Sequence, residues 1–411
     1  MQSNYKRLGD YIQEVNIRNK DLNDYPLLGV SVKKVFIPSI ANTIGTDFST
    51  YKVVQRNQFT YIPDTSRRGE KIGLAFLDSY NYALVSQAYT VFEIIDEYEL
   101  NPEYLMMWFK RPEFDRYARV KSHGSVREIF EWQTMCDVFL PIPSPEKQLE
   151  IVREYNIIQH RIRLNSHFIS KLEETARAIY KKWFVDFEFP GKNGLPYKSS
   201  GGEMVESELR MIPKDWEGKS IGDAVETLGG GTPSTNESKY WCNGEILWYS
   251  PTDLTKNNSL FSRNTAKKIT NVGLQKSSAK LFPSYCLLIT SRATIGKIAI
   301  NTKEACTNQG FITLIPTEKL TVYFLLEWAN TQLDNIKSLA TGSTFLEISK
   351  ADFRRLKFVE PTIDVLLNYE CTTRPIYHLI RMKNEENEVL EKLRELLFTK
   401  MTKVEVDIEF A

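Results

Sequence analysis

The chain repeats itself. Residues 123–144 read HGSVREIFEWQTMCDVFLPIPS and residues 341–362 read TGSTFLEISKADFRRLKFVEPT. Gly124, Ser125 and Pro143 match Gly342, Ser343 and Pro361 at a constant offset of 218. Each copy runs from Gly-Ser through a mixed segment and an apolar, strand-like run to a Pro followed by a small hydroxyl residue. Each is followed by a long charged segment, near 145–184 and 363–403. A fixed offset across separate features marks an internal repeat, so the chain is expected to fold as two similar halves, each leading into a long helix.

The first long segment has a heptad seam. Ile151, Tyr155, Ile158, Ile162, Asn165, Ile169, Leu172, Ala176, Ile179 and Trp183 alternate spacings of four and three, with Asn165 as the one polar interruption. About 38 residues at about 1.5 Å each would span roughly 57 Å. A seam of that length needs a partner, and the second segment supplies Ile376, Leu390 and Leu397. Its pattern is less regular: Pro375 interrupts it and Lys383 and Asn387 fall on the seam. A kink or late start is expected there, with the better helix from about Ile376.

Each half reads as α+β. From Tyr51 to Phe92 the runs KVVQ, FTYIPD, IGLAFL, NYALV and YTVFEII alternate with turn residues and predict strands. Asn101 to Val120 predicts a helix capped by Asn101 and broken or kinked at Pro112. Residues 185–218, rich in Gly, Pro and Ser, read as a linker. The second half repeats the plan: Ser220-Ile221-Gly222-Asp223 echoes Arg7-Leu8-Gly9-Asp10, strands follow near 286–300 and 310–316, and a helix follows near Tyr323 to Ile336.

Net charge is +1, which by itself argues against a polyanion-binding chain, but its distribution argues for one. Lys256 to Lys303 holds nine Lys or Arg and no carboxylate, whereas Asp186 to Glu226 holds nine acidic and five basic residues. A stretch that basic suits phosphates. Five scattered cysteines and four isolated histidines show neither a zinc signature nor a disulfide framework, so the cysteines read as buried small hydrophobes and no structural metal is expected. With no signal peptide and no membrane-spanning run, the expected location is cytoplasmic.

Catalytic motifs fail on inspection. Asn101-Pro102-Glu103-Tyr104 approaches an adenine-methylating element but has the wrong third residue and no glycine-rich donor loop before it. SRATIGKI (291–298) lacks the first Gly and final hydroxyl residue of a P-loop. Pro63-Asp64 with Glu70-Lys71 misses nuclease spacing by one residue. The chain reads as a binder. The competing readings are a stand-alone DNA-modifying enzyme and a coiled-coil scaffold that does not bind DNA.

GGGTPSTNESKYWCNGEILWYSPTDL (229–254), RATIGKIAI (292–300), TNQGFITLIP (307–316), GSTFLEISKADFRRLKF (342–358) and GSVREIFEWQTMCDVFLPIPSPEKQ (124–148), together with the duplicated layout, resemble the specificity subunits of type I restriction-modification enzymes. The resemblance implies target recognition domains at 1–143 and 219–360, each reading half of a bipartite DNA site. Between and after them would lie a central helix (144–185), a linker (186–218) and a C-terminal helix (361–411), the two helices forming an antiparallel coiled coil that sets the spacer. It also implies a non-catalytic chain that binds no cofactor itself. Two modification subunits would carry S-adenosylmethionine and methylate adenine, and two restriction subunits would use ATP and Mg to cleave. The second helix departs from the pattern: Ile363-Asp364-Val365-Leu366 replaces the Pro-Glu-Lys-Gln start at 145–148.

Residues suited to DNA lie in turns beside the sheets. In the first half they are Arg67, Arg68, Lys71, Ser125 and Arg127. In the second they are Thr232, Arg263, Lys267, Lys268, Lys276, Ser291, Arg292, Thr294, Ser343 and Thr344. Arg and Lys can pair with guanine, while hydroxyls and turn amides suit phosphates. Trp241 and Trp248 read as core.

Overall fold

The structure is a computed structural model describing residues 5–40, 45–65, 71–122, 128–256, 259–342 and 346–401. It divides into two compact units, one of residues 1–162 with 389–411 and one of residues 163–388. No helix among the described residues is long and apolar enough to cross a membrane.

In the first unit all five predicted runs form strands. Ile12–Val15, Thr90–Ile94, Phe59–Tyr61 and Leu74–Phe76 lie side by side in that order, all antiparallel, and Lys52–Gln55 pairs with Tyr82–Val85. Phe59, Tyr61 and Phe92 line the buried face with Phe109, Phe114 and Phe130. Phe59 stacks on Phe92 at 5.0 Å, and Phe109 meets Phe92 edge-on at 6.2 Å. The predicted helix is two helices. Pro102–Phe109 starts with the Asn101 side chain accepting from the Tyr104 amide, and Pro112–Lys121 starts with Pro112, whose missing N–H costs nothing in a first turn.

In the second unit a mixed five-stranded sheet has the order Glu226–Gly229, Phe311–Ile315, Leu287–Thr290, Ile298–Asn301 and Phe261–Ser262. A three-stranded sheet places Ile246–Tyr249 between Lys267–Ile269 and Ala305–Thr307. Helices Val322–Thr331 and Leu333–Ser338 correspond to the helix pair of the first unit.

The repeat is visible where each half opens and closes. Tyr5–Arg7 pairs antiparallel with Phe139–Pro141, and Glu217–Ser220 with Lys357–Glu360. The amides of Leu8 and Ile221 donate to the carbonyls of Val138 and Leu356, both at 2.8 Å. The two Gly-Asp echoes now have a cause. A Cβ on Gly9 would come within 2.7 Å of Cys136, and one on Gly222 within 2.6 Å of Arg354, because in each half a short helix packs straight onto that glycine.

Several expectations are corrected. The second long helix runs unbroken over Ile363–Lys400 with Pro375 inside it, not from about Ile376. An interior proline costs about 3 kcal/mol. Leu366, Tyr369, Tyr377 and Ile380 are all buried on either side of it, and Cys371, whose carbonyl loses the bond, faces solvent. The Gly- and Pro-rich connector is packed chain. Phe189 stacks on Trp216 at 4.9 Å, Phe184 lies 5.8 Å from Trp216, and Arg210 covers the Phe187 ring while donating to the carbonyls of Phe184 and Val185 at 2.9 and 3.2 Å. Its aromatic residues outweigh its turn residues. Cys136, Cys286 and Cys306 are buried, and burial pushes the last two thiols up to about 12. Cys242 and Cys371 are exposed, so the buried reading fails for those two.

The long helices, Pro145–Tyr180 and Ile363–Lys400, pair antiparallel within each unit. In the first, Tyr155 meets Phe398 at 5.8 Å and Lys400 pairs with Glu154 at 3.1 Å. Ile151, Ile158 and Leu397 are buried there, with Ile162 and Leu390 packed against them. In the second, Asn165 meets Asn387, while Tyr180 lies 6.1 Å from Tyr369. Ile169, Leu172, Ile179 and Ile376 pack on that core. As residue numbers rise along one helix they fall along its partner.

Candidate nucleic-acid interface

The second unit gathers four pieces of turn at one edge of its sheets: 229–234, 291–296, 307–310 and 346–348. The first is pressed against the third. A Cβ on Gly230 would fall into the carbonyls of Thr307 and Asn308, and the Gly231 amide donates to the Thr307 carbonyl at 2.9 Å. The second is stitched to the fourth, with the Ala293 amide donating to Leu346 at 3.2 Å and the Ile348 amide to Ser291 at 3.0 Å. Ala293 is held at φ 61°, which turns the chain sharply after Arg292.

Side chains complete the cluster. The Thr232 hydroxyl donates to Gln309 Oε1 at 2.7 Å. Arg292 Nε lies 3.7 Å from Glu347 Oε2, both side chains being about half exposed. Trp248, buried, donates from its indole to the Gly231 carbonyl at 2.9 Å, and Trp241 meets it edge-on at 5.1 Å while donating to the Ser234 carbonyl at 3.0 Å. Trp248 supports the loop as core, and Trp241, partly buried, packs against it. Lys267 Nζ sits 5.5 Å over the Trp241 ring, which ties a basic strand residue to the same loop. Pro251, Arg292, Ala293, Asn308, Gln309 and Gly310 line a cleft of about 220 Å³.

The fate of the sequence-derived residues is therefore mixed. Thr232, Lys267, Arg292 and Thr294 belong to or border this edge and are exposed. Lys276, also exposed, lies close to Ser278, whose hydroxyl lies against Gly231. Lys268, next to Lys267 in the strand, is exposed and extends from the opposite face. Ser291 is corrected: only 3% of it is exposed, because it continues a fully buried strand, and its side chain is not presented. Arg263 is drawn away from the cluster to Glu385 and Glu388 of the second long helix, at 3.6 and 3.9 Å. Lys71 is exposed in the first unit. Arg67, Arg68, Ser125, Arg127, Ser343 and Thr344 lie outside the described residues.

Five of the turn amides are already engaged within the protein. The amides of Gly231, Ala293, Thr294, Asn308 and Gly310 donate to Thr307, Leu346, Arg292, Tyr249 and the Asn308 side chain respectively. Side-chain donors are exposed at the edge as well. Sequence reasoning missed Gln309 among them. Its signal was a pair of amide side chains, Asn308 and Gln309, immediately before the apolar strand Phe311–Ile315.

Residues 213–364 match the model of the type I restriction modification DNA specificity domain. Over 199 residues, 48% of this chain, the sequence is 33% identical to the type I restriction enzyme MjaIX specificity subunit of Methanocaldococcus jannaschii, covering 46% of that protein. The chain thus spans about half the length of that relative. It is 22% identical to the HindI specificity subunit of Haemophilus influenzae over 97% of this chain and 98% of that one. The crystal structure of a type I restriction-modification S subunit from M. genitalium covers 97% of this chain with a TM-score of 0.58 at 11% identity.

Proposed function

We propose that the chain is the DNA sequence-recognition subunit of a type I restriction-modification complex, a reading supported by its similarity to specificity subunits of such enzymes. Each half reads one half of a bipartite site, and the paired helices set the spacer and dock the modification subunits. The observation that carries this reading is the structural repeat: two α+β halves close on themselves through equivalent strand pairs, and each then leads into a helix of the antiparallel pair. Two similar readers on one chain suit two short half-sites, and two similar helix surfaces suit two copies of one partner. A helix of 36 residues, about 54 Å, spans about 16 base pairs at about 3.4 Å each.

The chain carries no chemistry of its own in this scheme. Two modification subunits bring S-adenosylmethionine and transfer methyl to adenine, and two restriction subunits bring ATP- and Mg-dependent cleavage. The complex works in the cytoplasm, where it meets host and incoming DNA. The test is methylation mapping: the chain is co-expressed with its modification subunit and modified adenines are located across the host genome. A split motif with a fixed gap is expected. A soluble, donor-competent complex that modifies nothing would sink the reading.

A further inference from the structure

We propose that Gln309 is a DNA-backbone contact whose amide is aimed by Thr232, so that this edge of the second unit grips phosphate without reading sequence. The inference rests on the DNA-recognition reading above.

The geometry limits what Gln309 can do. Its side chain is exposed beside the cleft that Arg292 also lines. The Thr232 hydroxyl, donating at 2.7 Å, takes one of the two lone pairs of Oε1 and so fixes the amide, and the backbone of Thr232 is itself held by the packing of the Gly229–Gly231 turn against Thr307 and Asn308. Nε2 carries two further N–H groups, and a base contact through Oε1 would have to share that oxygen with Thr232. A bidentate contact to adenine needs one edge that both accepts and donates. An edge that only donates suits a phosphate oxygen. The neighbouring surface agrees: Pro251, Ala293 and Gly310 offer no side-chain hydrogen-bonding group, and the amides of Ala293, Asn308 and Gly310 are bonded within the protein. Arg292 adds a guanidinium at the same cleft, held by Glu347. Thr232, whose residue type would also suit a DNA contact, is a positioning residue.

The test uses the chain assembled with its modification subunit. Gln309→Glu keeps an oxygen for Thr232 to bond, so the fold is retained, but replaces the outward donors by a carboxylate. Binding to a duplex bearing the mapped site and to a scrambled duplex should weaken by a similar factor, about tenfold. The methylation motif should stay the same. Thr232→Val should weaken both duplexes by a smaller factor, about threefold, and Thr232→Ser should restore wild-type binding. Wild-type affinity for Gln309→Glu would overturn the proposal. So would a motif altered at one base position, which would make Gln309 a base reader. Failure of the wild-type complex to bind either duplex would overturn the DNA-recognition reading itself, and the inference with it.

Discussion

Asn165 donates from Nδ2 to Oδ1 of Asn387 at 3.0 Å, joining the only polar position in the first helix's heptad seam to a polar position of the second. Asn165 is 3% exposed. Such a part-buried amide pair contributes little net stability, but it has a good geometry in one register only, because a slip leaves the buried Asn165 amide unbonded in an apolar seam. The pair therefore defines how the two helices align.

Replacing one member should cost more than replacing both. Asn165→Leu leaves Asn387 without its partner and should destabilise by about 1–3 kcal/mol. Asn165→Leu with Asn387→Leu should recover most of that loss. Chemical denaturation of the two single variants and the double variant measures the coupling, and additive costs would show that the pair does not interact.

Gln148 marks the entry to the first long helix. It is fully buried, accepts from the Asn101 amide at 2.8 Å and donates to the carbonyls of Glu99 and Pro143, both at 2.9 Å. Gln148→Leu would strand three backbone groups and should cost about 3 kcal/mol or more, read as a fall in the denaturation midpoint. The second half does the same work elsewhere. Leu366 stands at the repeat-equivalent position, and the polar tie moves one turn on, where Glu370 accepts from the Thr321 hydroxyl at 2.6 Å. Glu370→Leu should therefore be costly although Leu366 is native.

Glu327 is 2% exposed, and burial raises its carboxyl above the usual 4.5, against the opposing pull of the Tyr377 hydroxyl bond at 2.7 Å and of Arg177 at 3.9 Å. A raised carboxyl means the folded state holds its proton longer than the unfolded state. Its contribution is then complete below the unfolded value and declines as pH rises toward the folded one. Glu327→Gln removes this term while still accepting from Tyr377. Melting temperature across pH 4 to 8 should fall less with rising pH in the variant than in the wild type. Parallel profiles would contradict the assignment.

Arg292 is the exposed cation of the cleft. In the assembled complex Arg292→Ala should weaken DNA binding on every sequence and reduce the steepness of its salt dependence by about one. Unchanged affinity with an unchanged salt slope would remove Arg292 from the interface.

Much of the plan was legible in the sequence because it depends on local pattern. The constant offset announced the repeat, alternating apolar runs placed the first-unit strands, Asn101 marked a helix start and Pro112 a break, and the spacing of Ile151 through Trp183 showed a helix with a partner. Where the reading erred, a distant neighbour decided the outcome. Pro375 has the signal of a helix breaker, and buried residues on both sides override it. The connector has the composition of free chain, and contacts among Phe184, Phe189 and Trp216 fold it.

The interface divides in the same way. Charge along the chain pointed to the basic residues of the second half, since a run without carboxylates needs no fold to be seen. Which of them share a surface depends on how separated turns pack, and the sequence holds no distance between Thr232 and Gln309 or between Arg263 and Glu385. The sequence by itself determined two α+β halves, two long helices and a basic second half, because those follow from periodicity and composition. Only the tertiary structure decided that Ser291 is buried, that Arg263 turns to the helix and that Gln309 joins Arg292 at one cleft, because exposure and pairing are set by contacts between residues far apart in the chain.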